Sequence, residues 1–184
     1  MRVRHVCTLC LLIVLTACTG STSTEPEDGP ATTALSAEDR RLVAAAKDVV
    51  SFLQGKLAFE EIETASSVTL VLSRDGGGTS KDVGRDLLRD RQNWHVQSPS
   101  GMDYSFLPPK QPGELVTRPG KHINCMEYDL ASAVDGAAQL PHVGTMIKPE
   151  GSDSCLQAWN LTLVFDPKAS TPTLIWAVYD QWEW

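Results

Sequence analysis

The chain has 184 residues, 16 of them basic and 23 acidic, with a net charge of −7 at neutral pH. That balance excludes a nucleic-acid surface, which needs clustered cations to displace phosphate counterions. It also excludes adsorption to anionic lipid through the protein's own side chains.

The first element lies outside the fold. Arg2 and Arg4 precede an apolar run from Val6 to Leu15, ten residues long. A spanning helix needs about 20 residues, so the run reads as the apolar core of an export signal. It closes on Leu15-Thr16-Ala17-Cys18. These residues resemble the lipobox of bacterial lipoprotein signal peptides, and the resemblance covers residues 1–18 only. It implies that the Cys18 thiol receives a diacylglyceryl group and that cleavage falls between Ala17 and Cys18. Each acyl methylene buried in the bilayer contributes about 0.8 kcal/mol, so two or three chains hold a protein on a membrane. Thr19, where an aspartate would favour the inner membrane, implies the outer membrane in a diderm organism, facing the periplasm or the cell surface.

Residues 1–17 are thus expected to be removed, which leaves 14 basic and 23 acidic residues. Residues 18–35 comprise the lipidated cysteine and a tether rich in Ser, Thr, Pro and acids, with almost nothing to bury. As a flexible coil the tether spans about 20–25 Å. Residues 36–184 fit one domain, able to bury about two-thirds of its unfolded surface.

Within that domain, Ser36 and Asp39 have the spacing of a capping box. Leu42, Ala45, Ala46, Val49, Val50 and Leu53 follow at helical spacing, and Gly55 suits the stop. Leu57–Glu63 is acidic and shows no period. Val68, Leu70 and Leu72 alternate as in a strand. Gly76-Gly77-Gly78 then reads as a turn, because no phosphate-binding fingerprint surrounds it. Asp82–Arg91 mixes charges around Val83, Leu87 and Leu88 and predicts a short helix. Trp94 and Val96 share one side of a short strand, with His95 outward. Met102, Tyr104 and Phe106 alternate again before a Pro-rich loop. Ala-rich 129–139 predicts a helix weakened by Gly136, and Val143–Ile147 a short strand. Trp159, Leu161, Leu163 and Phe165 alternate, as do Leu174, Trp176 and Val178, which predicts a hairpin with a long connection. The sum is α+β: an N-terminal amphipathic helix packed on an antiparallel sheet covered on one side, ending in a C-terminal hairpin. NTF2-like or cystatin-like folds fit this description.

Five cysteines are present. Cys7 and Cys10 leave with the signal segment, and Cys18 is taken by lipid. Cys125 and Cys155 remain, and in an oxidising compartment they read as one disulfide. Closing a loop of about 30 residues is worth roughly 3.5 kcal/mol in the chain-entropy model. The alternative is a zinc site made by His122, Cys125, His142 and Cys155, although the gaps around His142 match no known zinc module. Apart from that, no cofactor is implied.

No Gly-x-Ser-x-Gly, His-Glu-x-x-His or Ser-x-x-Lys occurs in the exported region, which removes the easily read hydrolase classes. His122 with Glu127 or Asp129 offers a conceivable acid/base pair, so an enzyme acting on an envelope polymer is the alternative function. The preferred expectation is a non-enzymatic binding or structural module of the cell envelope, whose partner is an envelope protein or a glycan. Trp176, Trp182 and Trp184 would share a face on an extended terminus, where flat aromatics could stack on sugar rings. The tripeptide Asn160-Leu161-Thr162 matches a glycosylation sequon, set aside for a chain with a bacterial signal.

Overall fold

The computed structural model describes residues 35–73, 78–108, 115–116, 136–147 and 159–180. Helix α1 covers Ala37–Leu53. The Ser36 hydroxyl accepts from the Asp39 backbone N–H at 3.0 Å, and the Asp39 carboxylate accepts from the Ser36 N–H in return. The helix stops at Gly55, whose φ of +74° suits a residue without a β-carbon. A β-carbon there would also lie 2.3 Å from the Arg91 guanidinium. Leu42, Ala46, Val49, Val50 and Leu53 form one buried stripe along the helix.

Strand β1 covers Thr64–Ser73 and β2 covers Thr79–Gly84, paired antiparallel. A four-residue helix, α2 (Arg85–Leu88), follows. Strands β3 (His95–Gln97) and β4 (Asp103–Ser105) form a separate two-stranded ladder. Then come β5 (Leu115–Val116), β6 (His142–Ile147), β7 (Trp159–Phe165) and β8 (Leu174–Asp180). The main sheet runs β2-β1-β8-β7-β6-β5, five strands of six residues or more with β5 as a two-residue edge. Pairing is antiparallel throughout except between β1 and β8, which run parallel.

Three expectations need correction. The sheet is mixed rather than purely antiparallel, because β8 returns to lie beside β1 instead of joining an edge. The segment 82–91 is not one helix. Its first three residues finish β2, where Val83 pairs with Val68 in the ladder and is buried with it. Only Arg85–Leu88 is α-helical, and a 3₁₀ turn follows at Arg91–Asn93. Finally, the sheet is not covered on one side only. Every residue of β6 and β7 is buried, so both faces of these strands are shielded.

The larger core lies on the α1 side. Val68, Leu70 and Leu72 of β1, Leu161, Leu163 and Phe165 of β7, and Ala177 and Tyr179 of β8 pack with the α1 stripe. Trp94 is fully buried beside Phe52, with its indole N–H donating to the Leu88 carbonyl at 2.9 Å. Tyr179 stacks on Trp159 at 4.2 Å and takes Tyr104 and Phe106 edge-on. Met102 departs from its alternating partners: it is 47% exposed, at the turn where its carbonyl accepts from Ser98. Phe59 and Ile62, in the segment without visible period, are buried around a 3₁₀ turn.

Candidate functional site

The second face of the sheet carries the unusual chemistry. Side chains alternate along a strand, so the ladder register assigns residues to faces. Opposite the α1 side, three cross-strand rows appear. The first runs His142, Val164, Trp176, Thr69. The second runs Gly144, Thr162, Val178, Val71, and the third Met146, Asn160, Asp180, Ser73. Val71, Val164 and Val178 form an apolar patch with Ala137, and Leu140, Ile175 and Trp176 pack at its margin.

His142, Thr162 and Asn160 share this face across β6 and β7. Thr162 and Asn160 are two residues apart on β7, and His142 is the diagonal neighbour of Thr162 across the ladder. Diagonal neighbours sit about 7–8 Å apart. His142 is 8% exposed, Thr162 1% and Asn160 1%. Four of their polar atoms have no hydrogen-bond partner: His142 Nε2, Thr162 Oγ1, and both Oδ1 and Nδ2 of Asn160. Leaving a buried polar group unpaired costs about 1–3 kcal/mol. Such groups are a small minority in folded proteins, and here they are contiguous.

The state of His142 follows from its one contact. Nδ1 lies 2.5 Å from the Leu140 carbonyl. A carbonyl only accepts, so Nδ1 carries the proton and Nε2 presents a lone pair. Burial drives the imidazole pKa below its usual value, and the bond to Leu140 opposes this only partly. The ring is therefore neutral near pH 7, with an unanswered acceptor. Beside it, Gly144 faces Thr162 and contributes no side chain to the surface.

The residues singled out from sequence are distributed unevenly. Trp176 is half-buried on this second face, next to Val164 in register. His142 starts β6 on the same face. His95 is half-buried, with Nδ1 at 2.6 Å from the Gln92 carbonyl. Cys18, His122, Cys125, Glu127, Asp129, Cys155, Trp182 and Trp184 lie outside the described residues, so the lipidation site, the disulfide, the zinc alternative and the acid/base pair are not placed. Among the described residues, no three His, Cys, Asp or Glu side chains gather as a metal site would require. No described helix is long and apolar enough to cross a membrane. In the sequence Asn160 and Thr162 stand out only as a sequon, and burial closes Asn160 to glycosylation.

A concavity lies where α1 meets the β7–β8 connection. It is lined by Glu38, Arg41, Leu42, Pro141, Phe165 and Asp166, and its cavity volume is ≈ 70 Å³. Arg41 donates to the Ser170 carbonyl at 2.6 Å across it. That bond fastens the connection to the helix. No protein family, curated protein or solved structure matches the chain.

Proposed function

We propose that the chain is a lipid-anchored protein of the cell envelope whose domain binds a partner and does not transform it. One observation carries the anchor: Cys18 stands at the close of an apolar run too short to span a bilayer, behind Arg2 and Arg4. The Ser/Thr/Pro-rich tether then ends where the capped start of α1 begins, at Ser36. Acyl chains on Cys18 would keep the domain within a few nanometres of the membrane. Cys125 and Cys155 would form the domain's disulfide in that compartment.

The binding role is supported by the second face of the sheet. A purely structural module gains nothing from burying Asn160, Thr162 and His142 without partners. The helix laid on a mostly antiparallel sheet supports the NTF2-like or cystatin-like reading of the architecture.

The test is metabolic labelling with an alkyne fatty acid, followed by fractionation. Label on the wild-type protein, absent from Cys18→Ser, with the wild type in the membrane fraction, is the expected result. An unlabelled wild type recovered from cytosol overturns the proposal. Mass spectrometry without reductant should find Cys125 joined to Cys155.

A further inference from the structure

We propose that the groove between α1 and the β7–β8 connection binds a free diamino acid of the lysine type, its carboxylate on Arg41 and its side-chain ammonium among Asp48, Glu61 and Glu63. The inference rests on reading the domain as a binding module, but its test does not involve Cys18.

The groove has two ends. The concavity at Arg41, of ≈ 70 Å³, adjoins another of ≈ 120 Å³ lined by Asp48, Glu61 and Glu63. Phe165 and Pro172 line both, so the two lie side by side over one apolar floor. Helix α1 sets their spacing. Arg41 and Asp48 are two turns apart on one face of it, about 10 Å along the axis. An extended lysine holds its carboxylate and its side-chain ammonium about 7 Å apart, a zigzag of single bonds. A charged hydrogen bond of about 2.8 Å at each end brings the span to about 13 Å. Side chains as long as Arg41 and Glu63 absorb the difference. Cavities of this size suit a molecule of one amino-acid unit.

Charge distinguishes the two ends. Glu38 and Asp166 line the concavity at Arg41. None of these carboxylates, at either end, is ion-paired with Arg41 or with another described residue. Arg41 is held in place by the N–H that it donates to the Ser170 carbonyl. The rest of its guanidinium fork is open to a ligand carboxylate. Glu38 and Asp166 flank that position and attract the α-ammonium beside the carboxylate. At the far end acids without a cation stand around apolar Val49, Ile62 and Phe165. That lining suits a second ammonium carried on a methylene stem. A simple anion would meet carboxylates at both ends. A simple diamine would leave Arg41 unanswered.

The experiment is calorimetric titration of the detergent-solubilised full chain with lysine. Norleucine, cadaverine and 2,3-diaminopropionate serve as analogues that lack, in turn, the side-chain amine, the carboxylate and the length. Saturable binding of lysine is expected, with each analogue about tenfold weaker or more, as loss of a hydrogen bond to a charged group implies. Arg41→Gln and Asp48→Asn should each weaken lysine by a similar factor. Arg41→Gln also releases the Ser170 carbonyl. Asp48 is exposed on α1, so Asp48→Asn provides a variant that leaves the packing alone. Circular dichroism checks that each is folded. Absence of saturable lysine binding overturns the proposal. So does cadaverine binding as tightly as lysine, which would make the groove a site for cations in general, or lysine binding that is unchanged in the folded variants. Each outcome reads the same whether or not Cys18 carries lipid.

Discussion

Replacing Thr162 by valine should stabilise the ligand-free protein, against the usual direction for a buried substitution. Thr162 is 1% exposed, and its hydroxyl is buried with no partner. Its desolvation costs about 1–3 kcal/mol in the folded state and nothing in the unfolded chain. Valine keeps the β-branch that suits a strand and has nearly the same shape. It replaces the hydroxyl with a methyl group that gains from burial. Small packing adjustments around the new methyl offset part of this, so the net gain is about 1–2 kcal/mol. For a domain of this size that raises Tm by roughly 2–8 °C. Urea denaturation should show a higher midpoint at an unchanged slope. A loss of about 1 kcal/mol or more would refute the reasoning, because it would mean that the hydroxyl is hydrogen-bonded in solution.

Further outcomes follow from other contacts. Ser36→Ala removes the acceptor for the Asp39 N–H and should cost about 1 kcal/mol in urea denaturation. Leu163→Ala empties a fully buried position facing α1 and should cost about 2–5 kcal/mol by the same assay. His142, held below its ordinary 6.5, imposes a pH dependence. Below 6.5 the unfolded chain binds a proton there that the folded state refuses. Stability is therefore intact above 6.5 and falls on acidification towards the folded-state pKa, by up to about 1.4 kcal/mol per pH unit. His142→Gln should flatten that part of the profile, and an unchanged profile would assign it to another group. Gly55→Ala forces an alanine to a φ of +74° and should lower stability by about 1 kcal/mol or more.

Much of the strand pattern was legible in sequence, and the candidate site was not, for one physical reason. The alternation of Trp159, Leu161, Leu163 and Phe165 marks a strand whose apolar side faces a core, and the β7–β8 pairing has the predicted hairpin form. The same rule sends Asn160 and Thr162 to the opposite side, where polar residues are assumed to meet water. In strands β6 and β7, shielded on both faces, that assumption fails. Alternation reports which residues share a side, not whether the other side is wet. The segment 82–91 misled for a related reason: its mixed charges resemble a solvated helix, yet Asp82–Gly84 continue the ladder, with Val83 buried against Val68. Phe59 and Ile62 sit in a stretch too short to show a period, and tertiary contacts alone bury them. The parallel placement of β8 beside β1 depends on residues more than 100 positions apart, beyond any local signal.

The parallel pair also governs when this protein can exist. Among the described strands the first and the last are neighbours inside the sheet, so a segment made about a hundred residues after β1 completes its pairing. Until Leu174–Asp180 arrives, β1–β2 and β7–β6 are two fragments with an open gap between them. A ribosome halted anywhere before that point releases two exposed strand edges, each a template for aggregation. The sheet therefore closes only once Leu174–Asp180 is available to both fragments.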